Sequence, residues 1–492
     1  MRRIEELFLE AFGASLKGEP VEWEEPLADE EWQRLFEMAW QHHVLPMIYE
    51  AVVHCPAAQR SASEKAKTSG GESADVPQKV KGRQKEEEPA EKQDSGQPKG
   101  KNSSGPVLPV AAKKHIVLRL VMLQAQKTSE FLAVYRTLRE AGLHPLVVKG
   151  IVCRSLYPKP DLRISGDEDL LIPPEEFVRC HELLLAQGLA PAEPLADPAS
   201  AYEVSYNRQG GTIYIELHKF LFPPQADAYG DFNRYFQDVH AHPAVCTAEG
   251  AELLTLSPTD HLLYLICHAL KHFLHSGVGV RQAADIALFA NRFGTSVDWL
   301  RILACCREIH ADLFASALFR IGEKYLTFDP DAADFPPEWR AVEADESALL
   351  ADLLDAGAYG DSTMSRKHSS GMTLSAVSAE KQGRKRGQAA SLLRTVFPSA
   401  KALAGRYPYL EKHPALLPAA WISRIAHYRR ETAAEKKRRE AEEKAKRAAG
   451  VQNTKGEGSR TPSDDNKNNA AESMRIGKQR TELLKEYGLL KE

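Results

Sequence analysis

Residues 146–172 read LVVKGIVCRSLYPKPDLRISGDEDLLI, and the fold turns on how this stretch divides. Leu146-Val147-Val148 is a short apolar run of the kind that forms a buried strand, expected over residues 144–149. Gly150 interrupts it, residues 151–157 suit a short helix, and Pro158 and Pro160 make a loop. A second strand is expected over 167–172, stopped by Pro173-Pro174. Successive side chains of a strand point to opposite faces, so Asp167 and Asp169 share one face and Glu168 takes the other. Two carboxylates one strand-step apart repel unless a cation bridges them. Mg²⁺ (or Mn²⁺) is the natural cation, because it prefers oxygen ligands and keeps positions for substrate phosphate.

Working outward, PEEFVRCHELLLAQGL begins a helix at the proline pair, with Glu175 and Glu176 in its first turn. Residues 202–207 and 212–220 then read as a hairpin turning at Gly210-Gly211. In its second strand Ile213, Ile215 and Leu217 form an apolar face, while Tyr214, Glu216 and His218 form the other. If this strand neighbours 167–172, Glu216 joins Asp167 and Asp169. Three converging carboxylates suit metal-dependent phosphoryl or nucleotidyl transfer, in which metals hold the attacking and leaving oxygens in line. At the first strand–helix junction Lys149 offers a point charge to a triphosphate, and Gly150 lets backbone and helix N–H groups approach phosphate. Arg163 could fork onto a further phosphate oxygen, or pair with Asp161 or Asp167. His218 is expected beside the nucleotide, in a chemical or an orienting role.

Strand, helix, strand, helix and hairpin describe an α+β fold, a small mixed-sheet core expected over 108–250 together with the helix that precedes it. An N-terminal helical segment (1–56) and a helical domain (251–360) flank this core. Residues 57–107 and 361–390 are polar, charged and nearly free of large apolar side chains, so they cannot bury enough surface to offset their ordering entropy. They are expected to be disordered insertions. An ordered block (391–430) and a charged, largely disordered tail (431–492), closed by a short amphipathic helix, complete the chain.

Ser257-Pro258-Thr259-Asp260 is a strong helix start. On the helix that follows, His261, His268, His272 and His275 fall on one face. Ala269-Leu270-Lys271 separates His268 from His272 where a zinc protease has a glutamate, so a cleft lining is the better reading than a zinc site. Arg281 and Asp285, four apart, read as a helical ion pair.

Composition excludes several classes. The formal net charge is −4 over 492 residues, so long nucleic acid is not an expected partner. Seven scattered cysteines without a CxxC pair argue against disulfide or zinc-ribbon frameworks. Glu5, Glu6 and Glu10 interrupt what would be a signal peptide's apolar core, and no apolar run nears the ~20 residues that span a bilayer. A cytoplasmic protein is expected.

The succession "Leu-x-x-Lys-Gly", "Tyr-Pro", "Arg…Gly-Asp-x-Asp-Leu-Leu-Ile" and "Ile-Glu-Leu-His" resembles the uncharacterised bacterial nucleotidyltransferases of the polymerase-β-like superfamily. The resemblance extends to WQRLFEMAWQHHVLPMIY, to PTDHLLYLICHALKH and to VFPSAKALAGRYPYL…LLPAAWISRI. The chain has Gly150-Ile151 where the superfamily usually has Gly-Ser. The resemblance implies Asp167 and Asp169 as metal ligands, and Glu216 as a third carboxylate that ligates metal or accepts the acceptor's proton. It implies an NTP as substrate and an acceptor that the sequence does not identify. A nucleotide-binding protein without turnover and a γ-phosphotransferase are the alternatives.

Overall fold

The computed structural model describes residues 2–59, 110–193, 197–224, 231–275, 277–358, a few residues between 366 and 407, 409–423 and 462–490. The expected insertions at 57–107 and 361–390 lie almost wholly outside these residues, as do much of the 391–430 block and residues 431–461. The chain forms two compact units. One comprises Met1–Thr128 with Tyr157–Ser165, the other Ser129–Leu156 with Gly166–Glu492.

In the first unit, helices α1 (Arg3–Lys17), α2 (Asp29–Gln41) and α3 (Leu45–Val52) bury Phe8, Phe12, Trp32, Phe36 and Ile48. Helix α4 (Lys114–Glu140) contributes its first half here. Its Gln124 accepts the Ser165 N–H at 2.9 Å, and Lys127 donates to the Ser165 carbonyl at 3.0 Å. These bonds tie down the 157–165 loop, in which the buried Arg163 guanidinium lies 5.6 Å from the centre of the Tyr157 ring.

The second unit is built on a five-stranded mixed sheet. Its strands are β1 (Leu146–Val148), β2 (Glu168–Leu171), β3 (Ala190–Pro191), β4 (Glu203–Asn207) and β5 (Tyr214–His218), in the order β1-β2-β5-β4-β3. Only β2 and β5 run parallel. Helix α5 (Gly150–Arg154) follows β1, and α6 (Phe177–Ala186) follows β2. The second half of α4 buries Phe131, Val134, Tyr135 and Leu138 with Val147, Leu170, Ile215 and Leu217 of the sheet. Gly142, at φ +77°, ends α4 in the left-handed conformation that glycine adopts at least cost. The α+β class and four of the five core strands therefore stand as expected, while the two-residue β3 was not read from the sequence.

One element has little signal in the sequence. A second hairpin, β6 (Ala244–Ala248) and β7 (Ala251–Thr255), crosses the expected boundary at residue 250. It turns at Glu249-Gly250, both at positive φ as a tight hairpin turn requires. Val245 is 60% exposed, which blurs the alternation that marks a strand.

Beyond it come α7 (Pro258–His275), α8 (Val280–Phe293), α9 (Trp299–Glu308), α10 (Asp312–Tyr325) and α11 (Ser347–Ala356). Ser257 Oγ accepts the Asp260 N–H at 3.2 Å and so caps α7. Helix α12 (Pro462–Glu486) is longer than the short closing helix expected. Its Leu483 and Leu484, with Tyr487 just beyond, are buried, and Arg480 lies over the Phe273 ring of α7. Leu349 of α11 donates its N–H to Tyr487 Oη at 3.1 Å. These partners hold a segment whose composition alone reads as tail.

Candidate active site

The parallel pairing of β2 with β5 sets Asp169 directly opposite Glu216, with Leu170 opposite Leu217 and Leu171 opposite His218. Residues opposite each other on neighbouring strands face the same side, so the condition attached to Glu216 is met. Ligand atoms of Asp169, Glu216 and His218 lie within 4.8 Å of one another. His218 Nε2 is 3.3 Å from Asp169 Oδ1 and 3.7 Å from Glu216 Oε2, and its Nδ1 is 3.4 Å from Glu203 Oε2 on β4. Lys149 Nζ reaches Asp169 Oδ2 at 3.1 Å. Asp167, half-buried one residue before β2, stands outside the 4.8 Å group.

Helix α7 closes over Lys149 from the other side. His261, fully buried, accepts the Lys149 N–H at Nε2 (3.3 Å). Its Nδ1 lies 3.1 Å from Thr255 Oγ1, which donates to the Val147 carbonyl at 2.7 Å. The hydroxyl therefore accepts from Nδ1–H, and the neutral tautomer is fixed. Two turns further, His268 Nε2 accepts from the Lys149 ammonium at 3.2 Å and lies 3.3 Å from His272 Nε2. Lys149 itself sits at φ +58°, ψ −136°, a conformation that is costly for a residue with a side chain. Such strain survives only where surrounding bonds impose it.

Residues 102–327 match the model of a family described as uncharacterised nucleotidyltransferases. The likeness covers 226 of the 492 residues. No curated protein and no solved structure matches the chain. The nucleotidyltransferase match takes in both site strands and α7, and leaves 32–49 and 396–425 outside. No described helix is long and apolar enough to cross a membrane. All seven cysteines are free, as expected.

The electrostatics of this candidate site separate two walls. On the sheet, burial and the charge of Asp167 push the Asp169 carboxyl above its ordinary value, against the pull of Lys149 and His218. Burial, the largest influence, disfavours the Glu216 carboxylate, but the neighbouring His218 and the charge of Lys149 together hold Glu216 below its ordinary value. For His218 burial opposes charging, yet bonds to Asp169 and Glu216 carry it up to about 9. Lys149 loses hydration on burial and is nevertheless raised well above an ordinary lysine by Asp169 together with Tyr264, Asp167 and Glu216. On α7 the opposite holds. Burial lowers His261 and His272 to about 3 and His275 to about 4, and takes His268 well down, with the charge of Lys149 adding to the effect on His268 and His272. Tyr264, buried between His261 and His268, is pushed well up and keeps its proton.

The sequence-predicted residues divide accordingly. Asp169, Glu216, His218 and Lys149 come together. Gly150 (φ +43°) packs against Glu168 instead of standing open: a Cβ there would lie 2.1 Å from Glu168 Oε2, which accepts the Ile151 N–H at 2.7 Å. That helix-start donor, expected to be free for phosphate, is already engaged. Arg163 belongs to the first unit. Arg281 and Asp285 are both buried on α8. Glu203 was not anticipated. Its position was readable from the hairpin register, which places it opposite His218.

Proposed function

We propose that this chain transfers a nucleoside monophosphate from an NTP to an acceptor hydroxyl and releases pyrophosphate. The observation that carries the proposal is the register pairing of Asp169 with Glu216 across β2 and β5, with Lys149 at 3.1 Å from Asp169. Asp169 and Glu216 fit a divalent cation: their carboxylates face each other across β2 and β5, and His218, which keeps its proton beside them, spaces them without ligating. Asp167, on the same strand face, is a further oxygen donor. A divalent cation bound there supplies Lewis-acid polarisation of the phosphate and neutralises its charge.

The chain's own residues do the rest. Lys149, clamped by His261 and His268, presents a permanent positive charge to the phosphate oxygens. Glu216, kept ionised by His218, accepts the proton of the acceptor hydroxyl. A bond forms from that oxygen to the α-phosphorus, the bond to the bridging oxygen breaks, and pyrophosphate carries away its electron pair. His218 holds Asp169 and Glu216 at fixed spacing from below.

The test is incubation of the full chain with α- and γ-labelled NTPs, Mg²⁺ or Mn²⁺, and a panel of acceptors. Transfer of the α-label with pyrophosphate release is expected. Asp169→Asn should lower it by more than the ~10–100-fold that loss of a supporting partner costs a metal site. Transfer of the γ-label would make the protein a phosphotransferase, and binding without turnover would make it a nucleotide-binding protein. Wild-type turnover in Asp169→Asn would sink the reading.

A further inference from the structure

A triphosphate needs cations and N–H donors, and two of the places where the sequence suggests them are already engaged. The Ile151 N–H at the start of α5 is held by Glu168, and the Lys149 ammonium is shared between Asp169 and His268. Helix α7 carries another cation that the carboxylate chemistry leaves unused. Lys271, three residues after His268 and next to His272, is half-buried and makes no hydrogen bond or ion pair among the described residues. It is nonetheless inside the site's field. Burial lowers its pKa, Lys149 lowers it further, and Glu203, Glu216 and Asp169 act to raise it. An ammonium that has lost part of its water without gaining a partner is the group that an incoming anion stabilises most.

The rest of this face points the same way. His268, His272 and His275 are neutral and can offer ring N–H groups to an anion, and no acidic side chain lies on their part of α7 to answer Lys271. The helix's one acidic residue, Asp260, lies at its far end and pairs with Arg301 at 2.8 Å. From His268 to His275 the face runs about 10 Å at the helical rise per residue, leading away from the carboxylates. The site is thus acidic on the sheet, with the Lys271 ammonium as the one cationic side chain of α7.

We propose that Lys271, with the His268–His272–His275 face of α7, is the subsite for the β- and γ-phosphates of the nucleotide. The α-phosphate then lies at Asp169 and Glu216, and the chain of phosphates runs along α7. This rests on the nucleotidyl-transfer reading for which phosphates are meant. The phosphate chemistry of the subsite does not depend on it. A phosphate carried by the acceptor would use the same chemistry, and competition separates the two sources.

The full chain is titrated calorimetrically with inorganic tripolyphosphate, alone and after saturation with each of the four nucleoside triphosphates. Wild type should bind tripolyphosphate, and at least one nucleoside triphosphate should block it. Lys271→Gln should weaken tripolyphosphate binding about tenfold or more, and Lys271→Arg should restore most of it. Thermal unfolding establishes that the variants are folded. Unchanged affinity in Lys271→Gln, or no tripolyphosphate binding by wild type, overturns the proposal. So does simultaneous binding of tripolyphosphate and every nucleotide, which would assign the subsite to the acceptor. Failure of the nucleotidyl-transfer reading looks different: Lys271-dependent tripolyphosphate binding persists, and no NTP yields pyrophosphate.

Discussion

Glu168 and Asp169 are neighbours in β2, and both are essentially inaccessible to solvent, yet their surroundings are opposite in kind. Glu168 Oε1 receives both terminal nitrogens of Arg154 at 3.0 Å, and Oε2 receives the Ile151 N–H. One charge meets one counter-charge, and the account closes inside the protein. Asp169 shares Lys149 and His218 with Glu216, which lies opposite it, and with Asp167 nearby. Here cations and carboxylates are interleaved without one-to-one pairing. The difference separates a carboxylate that builds the fold from one that the proposed function assigns to a ligand. Lys149-Gly150 joins the two faces, since Lys149 serves Asp169 while Gly150 makes room for Glu168.

The sharpest way to break this comparison is to remove the counter-charge on the closed side. Arg154→Met leaves Glu168 buried and uncompensated, and should cost about 3–5 kcal/mol in urea unfolding. Adding Glu168→Leu should recover most of that loss, short of the roughly 1 kcal/mol for the Ile151 hydrogen bond. On the proposed function Mg²⁺ or Mn²⁺ should stabilise the wild type, neither change should alter that stabilisation, and Asp169→Asn should abolish it. If folded Arg154→Met protein no longer responds to the cation, the two faces are not separate.

The second effect, of about 3 kcal/mol, belongs to the open side and follows pH. His218 is held at about 9 in the folded chain against 6.5 when free, so it binds a proton more tightly folded than unfolded. Its contribution is complete below pH 6.5 and is lost as pH rises through 9. The 2.5-unit difference corresponds to the roughly 3 kcal/mol stated. His218→Gln should flatten that limb in metal-free protein. The α7 histidines have the reverse sign: lowered to about 3 for His261 and His272 and about 4 for His275, they cost stability as pH falls below 6.5. Stability measured across a pH series should therefore fall on both sides, with only the alkaline limb sensitive to His218→Gln.

Much of the open face is legible in the sequence, because strand periodicity is local. It puts Asp167 with Asp169 and Glu216 with His218, and helical periodicity lines up His261, His268 and His272. The pairing of β2 with β5 stays conditional at that level, since residues 172–212 between them carry no signal for which strands meet. The closed face is harder to read. A charge pointing into an apolar core contradicts the pattern that defines the strand, and Glu168 is explained only by an arginine 14 residues away on a separate helix. The grip of α7 on Lys149 spans 112 residues at the backbone and 119 at the ammonium. Nothing in either local pattern encodes it.

That grip supplies the smallest and most discriminating prediction, because it acts where the two faces meet. Lys149 holds a strained backbone at φ +58°, and the bond from its N–H to His261 is one of the contacts that impose it. His261→Leu leaves that N–H and the Thr255 hydroxyl oxygen without their ring partner, which should cost about 1–3 kcal/mol of stability. It also allows Lys149-Gly150 to relax, drawing the ammonium from Asp169 and the Gly150 backbone from Glu168 together. His261→Gln keeps an amide oxygen to accept from Lys149 and an N–H to donate to Thr255, and should recover part of the loss. Mg²⁺ affinity and unfolding free energy should then move in parallel across wild type, His261→Gln and His261→Leu. If stability falls while cation affinity holds, Lys149 is positioned by Asp169 and His268 alone, and the junction does not couple the faces.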